Sequence, residues 1–493
     1  MIVAVSTVAN ETAGDSRRHS VYTWLAASAG ALGGLLFGYD WVVIGGAKPF
    51  YEIFFHLDNP ALQGWAMSCA LLGCLVGAIS SGMLSSRFGR KRLLTLSALV
   101  FAASSLGTGL ADHFLVFVSW RVLGGCAIGL ASGVSPMYIA EISPAHLRGR
   151  MVSLNQLAIV FGILLAQLVN WLIARPVPRG FTALQILHSW NGQAGWRWMF
   201  AVTAVPSCLF LIASLLVPES PRWLASRGHS ARALRVLERL GGSAYAQQVM
   251  DDFTRASSLE ERRTGLRDLL SPGIFRLLLL GVALAVLQQW CGINVIFNYA
   301  QEIFAAAGYQ VSDILFNIVI TGAVNVVFTL LALGAIDRYG RRFLLLTGVS
   351  GLALIYTVLG LLYHLHMQGK PMLLLVLAAI ACYAMSLAPA TWVVIAEIFP
   401  NRVRGLAVAI AVSALWIACF LLTYTFPLLN AALGAAGTFW SYAAICAMGL
   451  LLLYFRLPET KGRSLEEMEA SLSATQHRRS GVLGMNPESD GQI

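Results

Sequence analysis

IAEISPAHLRG at residues 139–149 returns as IAEIFPNRVRG at residues 395–405, an offset of 256, and RFGRKR at 87–92 returns as RYGRR at 338–342, an offset of 251. PES at 218–220 is matched by PET at 458–460, an offset of 240. Chance does not keep three matches in one order at near-constant spacing. The chain is therefore two related halves, and what each half repeats is read from its composition.

Of 493 residues, 57% are apolar and only 12% are Asp, Glu, Lys or Arg. Mean hydropathy is +0.70. A soluble domain carries about 25% charged residues, so too little charge is present to build a water-facing surface. A bilayer crossing needs about 20 apolar residues. Apolar segments fall at 22–44, 63–84, 93–111, 115–139, 151–173 and 197–217, then at 275–304, 313–335, 343–363, 372–396, 403–425 and 437–456. The expected fold is an all-α membrane protein of twelve transmembrane helices in two six-helix, pseudo-symmetric bundles, the repeat architecture of a carrier with its site between the halves.

The expected divisions are an N-terminal segment 1–21, a bundle 22–217, a helical linker 218–274, a bundle 275–456 and a tail 457–493, disordered beyond about 475. In the linker, Ser220 with Pro221 reads as a helix start, Gly228 as a stop, Ser230 as a second cap and Gly241 as its end. Ser464-Leu465-Glu466-Glu467 has capping-box spacing. Short-loop Lys and Arg (Arg87, Arg90, Lys91 and Arg92, then Arg338, Arg341 and Arg342) lie on one side, and the opposite loops are almost free of them apart from Lys48. Positive-inside then places both termini in the cytoplasm of a cell (plasma or inner) membrane. The net charge of +10 is loop charge of this kind, and no nucleic-acid partner is expected. The eight Cys lie in apolar segments without a Cys-X-X-Cys pair. No disulfide, metal site or cofactor is expected, and with neither a nucleophile–base pair nor a phosphate loop, no enzyme.

Three constellations of polar residues remain. Asp40 in the first span and Arg121 in the fourth each cost about 2.5–3.5 kcal/mol at the bilayer centre on insertion scales. Counting about 1.5 Å per residue from the expected span ends puts both roughly 6–9 Å below the outer surface, so they can pair. The pair reads either as a static neutralisation or as a proton site whose carboxylate responds to the distance of Arg121. The second constellation is Gln288, Gln289, Asn294 and Asn298 on the seventh span, with Gln156, Asn325, Trp392 and Trp416 elsewhere. Amides donate and accept as sugar hydroxyls do, and an aromatic ring fits the apolar face of a sugar. Gly292 breaks the seventh span among these amides, as in a discontinuous helix lining a cavity. The third is cytoplasmic: Glu141, Arg148, Glu397 and Arg404 at repeat-related positions, beside Arg87, Arg90, Arg338 and Arg341, with Glu219 and Arg222 on the linker. These read as an inter-helix salt-bridge gate on the inner side. The glycines Gly34/Gly38, Gly73/Gly77 and Gly125/Gly129/Gly133 have GxxxG spacing, which marks close helix packing.

With LLFGYD (35–40), RFGRKR, SPMYIAEISPAHLRGR (135–150), PESPRWL (218–224), QQWCGINVIFNYA (288–300), IAEIFPNRVRG and PETKGRSLEEME (458–469), the chain resembles the sugar porters of the major facilitator superfamily from about Leu25 to Glu469. It is similar both to bacterial xylose–proton symporters and to facilitative glucose transporters. The resemblance implies sugar contacts at Gln156, Gln288, Gln289, Asn294, Asn325 and Trp392, and proton coupling at Asp40, where facilitative members commonly carry a neutral residue. Ile163 and Leu415 stand where the xylose symporters have glutamines, Asn298 where they have a tyrosine, and Ala388 where a glycine is usual. With fewer hydroxyl partners on one wall, an aldohexose fits as well as an aldopentose. The expected function is import of a monosaccharide with a proton by alternating access, by a monomer in the lipid bilayer. The alternatives are a proton-independent uniporter and a transporter-like sugar receptor.

Overall fold

The structure, a computed structural model, describes residues 2–178, 180–259, 269–309, 311–400 and 403–457. A backbone crossing lipid must satisfy its own N–H and C=O groups, and this chain does so with helices. The first half contributes α1 (Ile2–Phe54), α2 (Pro60–Phe88), α3 (Arg90–Gly109), α4 (Phe114–Ile142) and α5 (Arg148–Ile173). A broken sixth span over Asn191–Leu216 ends in α6 (Ala204–Leu216). Three shorter helices follow: α7 (Pro221–Ser226), α8 (Ser230–Gly241) and α9 (Ser243–Leu259). The second half holds α10 (Pro272–Trp290), α11 (Ile293–Asn298), α12 (Ala300–Ala306), α13 (Val311–Tyr339), α14 (Arg341–His364), α15 (Lys370–Met385), α16 (Leu387–Glu397) and α17 (Arg404–Arg456). Among the described residues eleven helical stretches are long and apolar enough to cross a membrane. The last, of 53 residues, breaks at Gly434 (φ 67°, ψ 176°) into two, which gives the twelve spans.

The two halves repeat in backbone detail. Gly89 (φ 92°, ψ 166°) and Gly340 (φ 88°, ψ 158°), the glycines of RFGRKR and RYGRR, make the same positive-φ turn before α3 and before α14. A side chain at either position would be strained. Within the first half α1 lies along α5 and α2 along α4. The GxxxG glycines permit this: a Cβ at Gly73 or Gly77 would meet the carbonyl oxygens of Val122 and Cys126. One at Gly125 or Gly129 would meet those of Ala70 and Cys74. Gly38 and Gly162 do the same for α1 and α5, against Ile159 and Leu35. Between the halves α2 packs on α17 and α5 on α13.

Helix ends depart from the sequence expectation wherever apolar runs are shorter than the helices they belong to. The backbone of α1 starts at Ile2 and continues to Phe54, past the apolar run 22–44. Lys48 is therefore a helix residue and not loop charge. The tenth span is interrupted at Ser386 (φ −124°, ψ −84°). Ser220 caps α7 through Trp223 N–H at 3.2 Å as read. Ser230 is the first residue of α8, with His229 at the cap, and Gly242, not Gly241, holds the terminal positive φ. The motif at 458–469, the capping box at Ser464 and the expected disordered tail lie outside the described residues.

Candidate functional site

At mid-bundle Arg121 Nη1 donates to Asp40 Oδ1 at 2.5 Å, with the two residues 5% and 7% exposed. The guanidinium also sits 5.4 Å from the centre of the Phe200 ring. Asp40 lies about 21 Å from the Phe54 end of α1, which runs on beyond its apolar segment, and Arg121 about 10 Å from the Phe114 end of α4. An unpaired charge at that depth is costly, and the pair removes most of the cost. Beside it is a narrow cavity bounded by Phe37, Trp41, Ile44 and Asn298 as well as the pair. Asn298 comes from α11 in the other half, and among the described residues its buried Oδ1 has no hydrogen-bond partner.

The seventh span supplies a chain of amides. After α10 the backbone turns through Gly292 (φ 86°, ψ −5°) into α11. That left-handed turn brings Asn294 back toward the end of α10. Asn294 Nδ2 donates to Gln289 Oε1, Gln289 Nε2 donates to Gln288 Oε1 at 2.5 Å, and Gln288 Nε2 donates to Tyr383 Oη at 2.7 Å. All three amides are buried. Four side chains from two spans thus satisfy one another and are available to exchange those bonds for hydroxyls. Tyr383 carries no sequence signal that separates it from the other tyrosines.

The remaining expected contacts are spread around this chain. Trp416 on α17 is buried and packs edge-on to Phe37 (ring centres 5.7 Å apart) and against Trp41 (6.3 Å), the residues flanking Asp40. Asn325 is buried on α13, Gln156 half-buried on α5, and Trp392 41% exposed on α16. Among the described residues no hydrogen bond joins these three to the amide chain. Gln167 Nε2 on α5 reaches Thr321 Oγ1 on α13 at 3.4 Å, a contact between halves that sequence reading passed over.

At the end of the bundle where α7–α9 lie, the repeat recurs in side-chain chemistry. Arg90 Nη2 pairs with Glu141 Oε1 at 2.8 Å and Arg341 Nη2 with Glu397 Oε1 at 3.3 Å. Each arginine also donates to the end of the preceding helix, at Ser85 O and Ile336 O. Arg148 Nε donates to Ala140 O and Arg404 Nε to Phe399 O. Both ion pairs join two helices of one half. Glu219 accepts from the backbone N–H groups of Arg90 (2.8 Å) and Lys91 (3.1 Å) and so caps the positive end of α3. Arg87 and Arg338 are exposed, each lying over the aromatic ring that follows it, Phe88 and Tyr339. Arg222 is exposed on α7.

A fourth group was missed in sequence because its lysine read as loop charge. Lys48, 4% exposed, pairs with Glu52 at 3.1 Å and with Glu302 of the other half.

A family described as "Sugar (and other) transporter" matches residues 26–472. The chain is 38% identical over 488 residues to the D-xylose-proton symporter of Escherichia coli (strain K12), covering 92% of this chain and 97% of that one. It is 37% identical over 461 residues to the glucose transport protein of Synechocystis sp., covering 91% and 97%. A solved structure of the xylose transporter XylE from E. coli, in a partially occluded inward-open conformation, superposes with a TM-score of 0.78 at 33% identity, covering 89% of this chain and all of that one.

Proposed function

Because this chain belongs to the sugar transporter family of multi-pass membrane carriers, we propose that it imports a monosaccharide, an aldohexose or aldopentose, together with a proton by alternating access. The observation that carries this reading is the buried Asp40–Arg121 pair, which shares a cavity with Asn298 one helical turn beyond Asn294 on α11. A proton site and a hydroxyl-binding amide chain therefore meet on one short helix. Sugar replaces the bonds that Gln288, Gln289 and Asn294 make to one another, with Gln156, Asn325 and Trp392 closing on it from the other spans. Asn298 and Trp416 face the proton site and transmit occupancy of one site to the other.

The halves 22–217 and 275–456 rock as bodies about the contacts of α2 with α17 and α5 with α13, with the linker 218–274 on the cytoplasmic side. Loop charge orients both termini to the cytoplasm of the cell membrane, and a monomer suffices, since site and proton pair lie within one chain. Arg90–Glu141 and Arg341–Glu397 hold helix ends together at the inner gate, with Arg87, Arg148, Arg338, Arg404, Glu219 and Arg222 around them. The related proteins named for xylose and for glucose transport span a pentose and a hexose. Uptake of radiolabelled xylose and glucose in vesicles, with and without an imposed pH gradient, tests the reading. A uniporter would equilibrate the sugar and never concentrate it.

A further inference from the structure

Lys48 and Glu302 are 254 residues apart and meet at the end of the bundle opposite α7–α9. The start of α1 marks the α8 end, since Thr23 Oγ1 donates to Leu240 O at 3.1 Å. Lys48 lies about 37 Å further along the same helix. Its ammonium pairs with Glu302, following α11, and with Glu52, one turn on in α1. It also lies 5.3 Å from the centre of the Tyr299 ring, and Tyr299 Oη donates to Thr423 O on α17 at 2.6 Å. One turn inward, α1 touches α11 backbone to backbone: a Cβ at Gly45 would stand 2.8 Å from Asn298 O. The ion pair thus sits directly over a tight contact between the halves.

The three charges are not equivalent. Lys48 and Glu52 share α1 and stay together whatever the halves do, whereas Glu302 reaches Lys48 only when the second half closes on the first. A buried cation that lost its sole counter-ion would resist opening, and here one counter-ion stays behind. We propose that Lys48, Glu302 and Glu52 form the outer latch of this carrier: Glu302 docking on Lys48 holds the outer end shut, and Glu52 keeps Lys48 neutralised when Glu302 leaves. The latch rests on the alternating-access reading and adds to it the residues that set the outer equilibrium.

The two glutamates then act with opposite sign. Glu302→Gln removes a contact of the closed state alone and opens the outer end. Glu52→Gln leaves Lys48 unpaired in the open state alone and closes it. The test places Ile44→Cys, one turn inside Lys48 and 2% exposed, on a background without the eight native cysteines, and follows labelling by a membrane-impermeant maleimide in intact cells. Glu302→Gln should raise the labelling rate about tenfold, and Glu52→Gln should lower it several-fold. The exchange Lys48→Glu with Glu302→Lys, which restores a pair across the halves, should give a rate at or below the parental one. Shifts of the two glutamine variants in the same direction, or no shift in either, would overturn the latch. If Glu302→Gln does not reach the membrane, the exchanged pair decides alone, because a tenfold raised rate there overturns the proposal. Labelling needs neither sugar nor a proton gradient, so its outcome is separate from whether the parent accumulates sugar.

Discussion

Arg121 holds Asp40 at 2.5 Å across the gap between the fourth and first spans, and both residues are buried. Lys48, about two helical turns beyond Asp40 on α1, is instead held by Glu52 and Glu302. The bundle therefore holds two separate groups of charge along α1, one at Asp40 and one nearer the Phe54 end at Lys48 and Glu52.

The amide chain predicts a graded loss of sugar affinity. Removing a buried amide that pairs with a hydroxyl costs about 1–3 kcal/mol, roughly five- to 150-fold in affinity. Asn294→Ala and Gln289→Ala should each fall in that range when binding is measured by calorimetry or radioligand competition. Unchanged affinity in Asn294→Ala would remove the site from α11.

Asn298 should behave differently from Asn294, although both lie on the same six-residue helix. Its unpartnered Oδ1 borders the Asp40–Arg121 cavity. Asn298→Ala is expected to weaken sugar binding less than Asn294→Ala does and to change the dependence of uptake on the pH gradient more. The comparison is a pair of uptake curves at two gradients for each variant. Equal effects in both variants would return Asn298 to the sugar wall.

At the end proposed as the inner gate, Glu397→Gln breaks the 3.3 Å pair with Arg341 and should shift the population toward inward-open states. Labelling of a cysteine on the cytoplasmic side, faster in the variant than in the parent, is the expected readout. An unchanged rate would make the pair a purely local brace of α14 and α16.

Close packing of α1 on α5 gives a stability prediction. A Cβ at Gly38 meets the carbonyl oxygen of Ile159, and overpacking a tight contact costs about 1–3 kcal/mol. Gly38→Val should lower the thermal midpoint of the detergent-purified protein, while Gly405→Ala, where a Cβ meets nothing within 4 Å, should not. Equal midpoints in the two variants would show that α1 and α5 can separate freely.

Much of this architecture is legible in the sequence because the bilayer imposes so few solutions. Apolar length counted the spans, and the offset of RFGRKR from RYGRR paired the halves. Gly292 marked the break in the seventh span because glycine is the residue that takes a left-handed turn without strain. Asp40 and Arg121 stood out by their cost in lipid. What hydropathy hides is charge that has been neutralised. Lys48 ends an apolar run and so reads as loop, but Glu302 lies on the other half, and nothing in local sequence links them. For the same reason the end of α1 was placed too early, since α1 continues through Lys48 and Glu52 as one helix. Asn298 and Asn294 look alike in sequence. Only the turn of α11 sends one to the Asp40–Arg121 cavity and the other to Gln289. Tyr383 becomes part of the site through the approach of α15 to α10, a tertiary event without a local signature.

The central claim is that Asp40 couples sugar to the proton, and accumulation under a gradient measures it most directly. One charge moving with the sugar gains about 2.3 kcal/mol per 100 mV, enough for nearly fifty-fold accumulation. In vesicles with an imposed pH gradient and membrane potential, the parent should concentrate radiolabelled sugar and lose it on addition of a protonophore. Asp40→Asn should bind sugar and exchange it in counterflow, yet never exceed equilibration. Accumulation by Asp40→Asn would contradict the account, and so would a parent that only equilibrates, because the pair with Arg121 would then be structural and the protein a uniporter.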